Sequence, residues 1–201
     1  MQYTPLMPQL KIAVLGSGKG SNFRAILSAI MAGHLRVTPV LAASDVADAG
    51  ILTLADNLGI PTTAIHEPKY RTRLSTEVES GLVEQLQASG ADLIVLAGYM
   101  RLVKAPLLEA FPRRIINIHP SLLPAFPGLE AWKQALAAGV KTTGCTVHFV
   151  DSGMDTGEII AQSEVQVLPG DTAETLHARI QEAEHRLYPE VLVRFAKQGI
   201  F

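Results

Sequence analysis

The chain has 201 residues, of which 48% are hydrophobic and 18% charged, enough for one globular domain burying roughly 70% of the surface its unfolded form exposes. Seventeen Lys and Arg against nineteen Asp and Glu leave a formal charge of -2, which offers no electrostatic footprint for nucleic acid or an anionic membrane and points to small-molecule substrates. One cysteine, Cys145, excludes an internal disulfide and fits a reducing cytoplasm, with a monomer and a homodimer both compatible.

The opening MQYTPLMPQL, residues 1–10, has no basic start and no apolar run, so it reads as a tail and not a signal peptide. Lys11 to Leu15 (KIAVL) is a short apolar run, followed by a glycine turn and then by Phe23, Ile26, Leu27, Ile30 and Met31 at helical spacing: strand, turn, helix. A strand over Val37–Ala43, a helix over Ala47–Leu58 and a brief strand near Thr62–Ile65 come next. A helix over Leu74–Ala88 ends at Gly90, and the strand Leu93–Ala97 is the longest apolar stretch, far short of the ~20 residues a membrane helix needs. The second half predicts a strand over Ile115–Ile118, a helix over Leu129–Ala138 and strands over Thr143–Val150 and Glu158–Val167. A final helix starts at Asp171, whose carboxylate caps it while Glu174 reaches back, and runs to Pro189, where it kinks or ends.

Continuous apolar strands alternating with helices indicate an α/β fold: a single domain with a mainly parallel twisted sheet, helices on both faces, right-handed crossovers and an antiparallel edge in the C-terminal half. No repeat, low-complexity tract or long linker divides the chain, so residues 11–201 form one domain whose halves meet near residue 100. Sites in such a sheet gather at the carboxyl ends of the strands.

Two stretches carry chemistry. After the first strand, GSGKGSN (Gly16 to Asn22) puts glycines before a helix whose free backbone N–H groups favour an anion, with Ser21 and Asn22 as added donors. The dinucleotide pattern GxGxxG fails here, because counting from Gly16 ends on Ser21 and from Gly18 on Phe23; the Walker pattern fails at Gly20 after Lys19. A phosphate monoester fits best, while Asp45 after the second strand keeps a nicotinamide site open as the rival. In NIHPSLLPAFPG, Asn117 and His119 are two apart on a strand and so share a face. Both can meet one substrate atom, Asn117 as an N–H donor for a developing oxyanion and His119 as a proton carrier. Pro120, Pro124 and Pro127 stiffen the loop that walls the pocket. A carboxylate partner for His119 comes from the turn DSGMDTG, where spacing leaves Asp151 and Asp155 both open. His148 on its strand reads as structural and Trp132 as core or groove lining, and no His or Cys spacing suggests a metal site.

At these residues the chain resembles the glycinamide ribonucleotide formyltransferases, folate-dependent enzymes of de novo purine synthesis. The resemblance runs from about Lys11 to the C-terminus, on GSGKGSN, LAGYMRLV (Leu96 to Val103), NIHPSLLPAFPG, TVHFVDSGMDTGEII (Thr146 to Ile160) and EHRLYP (Glu184 to Pro189). It implies a Rossmann-like formyltransferase domain with a phosphate-binding half, about 11–100, and a folate-binding and catalytic half, about 101–201. It implies 10-formyltetrahydrofolate as co-substrate, no metal, and a catalytic set of Asn117, His119 and Asp155, so that the carboxylate is Asp155. It further implies that Gly20, Ser21 and Asn22 hold the ribonucleotide phosphate, Glu184 its ribose hydroxyls, and Met100, Arg101, Leu102, Val103 and Asn117 the folate, with Arg73, beside Arg71, at the folate tail. Methionyl-tRNA formyltransferase and formyltetrahydrofolate hydrolase are the nearest rivals. Each is expected to carry a further domain, for which this sequence leaves little length.

Overall fold

The computed structural model describes residues 9–198, so residues 1–8 of the expected tail lie outside the described residues. Seven strands form one sheet: β1 (Leu10–Leu15), β2 (Val37–Ser44), β3 (Thr62–Ala64), β4 (Leu93–Leu96), β5 (Ile115–His119), β6 (Thr142–Phe149) and β7 (Ile159–Gln166). Their order is β3-β2-β1-β4-β5-β6-β7. β3 through β5 are parallel, while β5 with β6 and β6 with β7 are antiparallel. The α/β expectation holds, and the antiparallel region reaches one strand further in than an edge pair, to β5.

Six helices are described: α1 (Ser21–Met31), α2 (Gly50–Asp56), α3 (Thr76–Ala88), α4 (Ala105–Ala110), α5 (Ala131–Ala137) and α6 (Ala173–Gln198). None of them is long and apolar enough to cross a membrane. Two apolar layers sandwich the sheet. One packs Ile12, Val14, Ile116, Ile118, Cys145 and Val147 under α1 and α6; the other packs Ala13, Leu15, Ile94 and Ile115 under α3 and α4. Side-chain alternation explains the division, since consecutive residues of one strand appear in opposite layers.

Three local expectations need correction. Helix α4 is absent from the sequence-based reading; its six residues are too few to display a helical period, and Pro106 near its start needs no N–H partner. At the start of α6 the reciprocal cap is Thr172 with Thr175, each hydroxyl accepting the other's backbone N–H at 3.3 and 2.9 Å. Asp171 instead accepts the Leu168 N–H and both guanidinium nitrogens of Arg179. Nor does α6 end at Pro189, which is buried inside a helix running on to Gln198. One residue earlier, the fully buried Tyr188 hydroxyl reaches the carbonyl oxygens of Leu96 (2.9 Å) and Ile116 (3.2 Å), pinning α6 across β4 and β5.

Candidate active site

β1 and β4 are neighbours whose crossovers leave in opposite directions, so a crevice opens at their carboxyl ends. Gly16 lies in its floor. A Cβ there would sit 2.6 Å from the Ala97 carbonyl oxygen and 2.9 Å from Ile51 Cδ1, so a side chain has no room. Gly20 caps α1 with φ 76, a left-handed conformation that glycine adopts without strain. The turn thereby offers the first N–H groups of an 11-residue helix that has no side-chain cap. Asn22 in the first turn of α1 is only 7% exposed. Its Nδ2 donates to Glu184 Oε2 at 2.9 Å, and its buried Oδ1 has no partner. Burial pushes the Glu184 carboxyl up to about 7, against a smaller opposing pull from the Asn22 hydrogen bond.

Across the crevice, Asn117 and His119 project from β5 on the face opposite the α6 layer. Antiparallel pairing places His148 of β6 directly opposite Asn117. His148 Nδ1 lies 2.8 Å from the Phe149 carbonyl oxygen, which can only accept, so the proton is on Nδ1. Nε2 is then the acceptor for Asn117 Nδ2 at 3.3 Å. Burial lowers the His148 pKa, which keeps that imidazole neutral and preserves this arrangement. One amide N–H of Asn117 is held in this way and the second remains for the cavity.

The turn after β6 folds back over the same face. Asp155, at φ 56, brings Oδ2 to 3.3 Å from His119 Nδ1 and 2.8 Å from the Gly128 N–H, and Oδ1 to 3.7 Å from His148 Nε2. One carboxylate thus ties the imidazole to the end of the proline-rich loop. Asp151 is used locally, accepting the Gly153 N–H and the Thr156 hydroxyl. Of the two acids that spacing left open, geometry selects Asp155. His119 Nε2 stands 2.9 Å from the Phe126 carbonyl oxygen. Both ring nitrogens of His119 therefore face acceptors, and only an imidazolium can donate to both.

A cavity of about 920 Å³ joins these groups. Gly20, Ser21, Asn22, Met100, Arg101, Leu102, Val103, Asn117, His119, Asp155 and Glu184 all line it. Arg73 does not. It is exposed, its guanidinium lies 4.2 Å from the centre of the Tyr70 ring, and its carbonyl accepts from Arg101. Arg101 itself is committed: Nε donates to Asp45 Oδ2 at 2.7 Å, and Nη1 to the Tyr70 and Arg73 carbonyls. Ser17 completes this group, donating to Asp45 Oδ1 and accepting the Met100 N–H. The carboxylate proposed for a nicotinamide ribose is therefore occupied on both oxygens, which removes the main support for that rival. Sequence reasoning missed this junction because its members lie 28 and 56 residues apart. It also missed His148, whose role depends on strand register that no local spacing reveals.

A glycine turn with free helix N–H groups on one side of the switch point, with an amide, an imidazole and a carboxylate converging on the other, is the arrangement of an α/β enzyme for group transfer between small molecules. The chain belongs to the formyl transferase family, whose model matches residues 10–192. It is 45% identical over 182 residues to the phosphoribosylglycinamide formyltransferase of Bacillus subtilis, covering 90% of this chain and 92% of that one. It is similarly 45% identical over 197 residues to the trifunctional purine biosynthetic protein adenosine-3 of Drosophila pseudoobscura pseudoobscura, where the match covers 96% of this chain but 14% of that longer protein. The crystal structure of glycinamide ribonucleotide transformylase 1 from Symbiobacterium toebii superposes with a TM-score of 0.91 at 49% identity, over 98% of this chain and 92% of that one. The resemblance drawn from the five motifs is thereby borne out, and the protein is a transferase of this family.

Proposed function

We propose that this chain transfers a formyl group from 10-formyltetrahydrofolate to the amine of glycinamide ribonucleotide, a step of de novo purine biosynthesis in the cytoplasm. The observation that carries the reading is one cavity lined both by the Gly20–Ser21–Asn22 turn and by Asn117, His119 and Asp155. Its volume falls at the upper end of the ~300–1,000 Å³ range of small-molecule pockets, so two reactants fit side by side. Leu96, Ala97, Leu102, Val103 and Val150 give it an apolar wall suited to a flat heterocycle. At the other end, the unpartnered Asn22 Oδ1 suits a ribose hydroxyl next to Glu184, and the N–H groups of the turn suit the phosphate.

The co-substrate supplies an electrophilic formyl carbon on a nitrogen that leaves. The chain's own groups act on the charge that develops when the amine attacks. Asn117 directs its second N–H at the former carbonyl oxygen. His119, as imidazolium, keeps one N–H on Asp155 and turns the other from the Phe126 carbonyl to the oxyanion. Asp155 holds the charged ring in place and, through a water, helps move the proton from the attacking nitrogen to the leaving one. Each such oxyanion donor contributes about 3 kcal/mol of transition-state stabilisation.

The test is direct. Purified protein should formylate glycinamide ribonucleotide only when 10-formyltetrahydrofolate is present, and His119→Ala should abolish most turnover while the far-UV spectrum and thermal midpoint stay near those of the parent. Full activity in His119→Ala would overturn the mechanism. Failure to formylate the ribonucleotide at all would overturn the assignment.

A further inference from the structure

The cavity offers few free cationic side chains to the phosphate it is proposed to hold. Of the carboxyl groups that line it, Glu130 pairs with Lys133, Asp155 lies against His119 and Glu184 is pushed up to about 7 by burial, while the lining Lys and Arg charges are one guanidinium and one ammonium. The guanidinium, Arg101, is already neutralised by Asp45 at 2.7 Å. The ammonium is that of Lys19, which pairs with no carboxylate among the described residues. A phosphate monoester carries nearly two negative charges at neutral pH. Of the lining Lys and Arg side chains, Lys19 is the one whose charge is left to meet them.

Lys19 is also held in place. Its backbone packs against the start of α2, where a Cβ on Gly50 would lie 2.9 Å from Lys19 O and 3.0 Å from Lys19 Cα. On either side, Ile51 N–H donates to the Gly18 carbonyl at 3.2 Å and Arg24 N–H to the Gly20 carbonyl at 2.8 Å. The residue between the two glycines is thus fixed by two helices while its side chain stays exposed at the cavity.

Resting on the reading that this cavity takes glycinamide ribonucleotide, we infer that Lys19 is a specificity-determining residue: its ammonium recognises the phosphate dianion, supplying the one uncommitted Lys or Arg charge among the residues lining the site. A lysine suits this task because a compact, mobile ammonium acts as a point charge and needs no fixed geometry. Its contribution should depend on the phosphate and on ionic strength, and be indifferent to the folate and to the formyl transfer itself.

The experiment compares two ligands on the intact protein, glycinamide ribonucleotide and the corresponding riboside lacking the phosphate, by calorimetric titration at 50 and 300 mM NaCl. Lys19→Ala is expected to weaken ribonucleotide binding about tenfold at the lower salt and less at the higher, and to leave riboside binding within twofold. Lys19→Arg should recover most of the loss. Unchanged ribonucleotide affinity in Lys19→Ala overturns the inference, and so does an equal loss for both ligands, which would mark a role in shaping the turn. If the parent protein binds no ribonucleotide, the underlying assignment falls together with the inference, an outcome distinct from the other two.

Discussion

Replacing Asp155 by Asn separates charge from shape at the centre of the site. In the native protein one carboxylate oxygen accepts from both Gly128 and His119, and the other lies 3.7 Å from His148 Nε2. An amide of the same outline keeps an oxygen for the first pair and places its NH2 where the other oxygen stood, 3.7 Å from His148 Nε2. The loop anchor therefore survives, and the thermal midpoint should move by no more than about 3 °C, less than about 1 kcal/mol for a chain of this length. What is lost is the attraction between carboxylate and imidazolium. Both side chains are well buried, at 6% and 14% exposure, and 3.3 Å apart, so at an effective permittivity of about 20 their attraction is about 5 kcal/mol. The dipole of the amide retains part of this. A net loss of about 3 kcal/mol corresponds to a fall in kcat of about two orders of magnitude. Initial rates at saturating concentrations of both substrates give kcat, and the fall should appear there while KM for the ribonucleotide stays within threefold. Adding His119→Ala should cost no more than His119→Ala alone, because the carboxylate acts through the ring. A kcat within tenfold of the parent, in a folded Asp155→Asn protein, would refute the electrostatic account.

Other expectations follow from the same structure. The Glu184 carboxyl, pushed up to about 7 from an ordinary value of 4.5, remains protonated in the fold where the unfolded chain has already ionised. The cost of its burial therefore accumulates as pH rises from about 4.5 to about 7, so Glu184→Gln should gain up to about 3 kcal/mol relative to the parent at pH 8 and nothing at pH 4, read from urea midpoints. Asp45→Ala strands the largely buried Arg101 guanidinium, and a loss of about 3–5 kcal/mol should lower the thermal midpoint by about 10 °C. Trp132 is the only tryptophan of the chain, stacked 3.7 Å from His177 in the cavity wall; its fluorescence should change saturably on titration with glycinamide ribonucleotide, and Trp132→Phe should abolish the signal without abolishing activity.

Much of this architecture is legible in the sequence because strands such as IAVL and LIVL, buried on both faces, must be continuous apolar runs, and glycine turns mark where they end. The glycine turn before α1 and the Asn117–His119 pair are legible for the same reason, since each depends on spacings of one to six residues. What escaped depends on contacts between distant segments. His148 looks like any strand histidine until antiparallel register sets it opposite Asn117. Asp45 has the position of a ribose-binding acid and becomes structural only because Arg101 arrives from another crossover. The Arg73 carbonyl accepts from the same guanidinium, while its own side chain lies over Tyr70 and outside the cavity lining. The cap at Thr172 was displaced from Asp171 because Arg179, two turns along α6, claims that carboxylate. In each case an ionic or register constraint beyond the local spacing overrode a correct local preference.

The contact between Gly16 and the Ala97 carbonyl has a wider meaning for how this enzyme can vary. The two exits that touch there lead into opposite halves of the sheet. A single methyl at that seam would force the two strand exits apart, while leaving every side chain of the site chemically intact. The scaffold itself thus admits no side chain at this contact, a constraint set by backbone packing and independent of any chemistry at the imidazole.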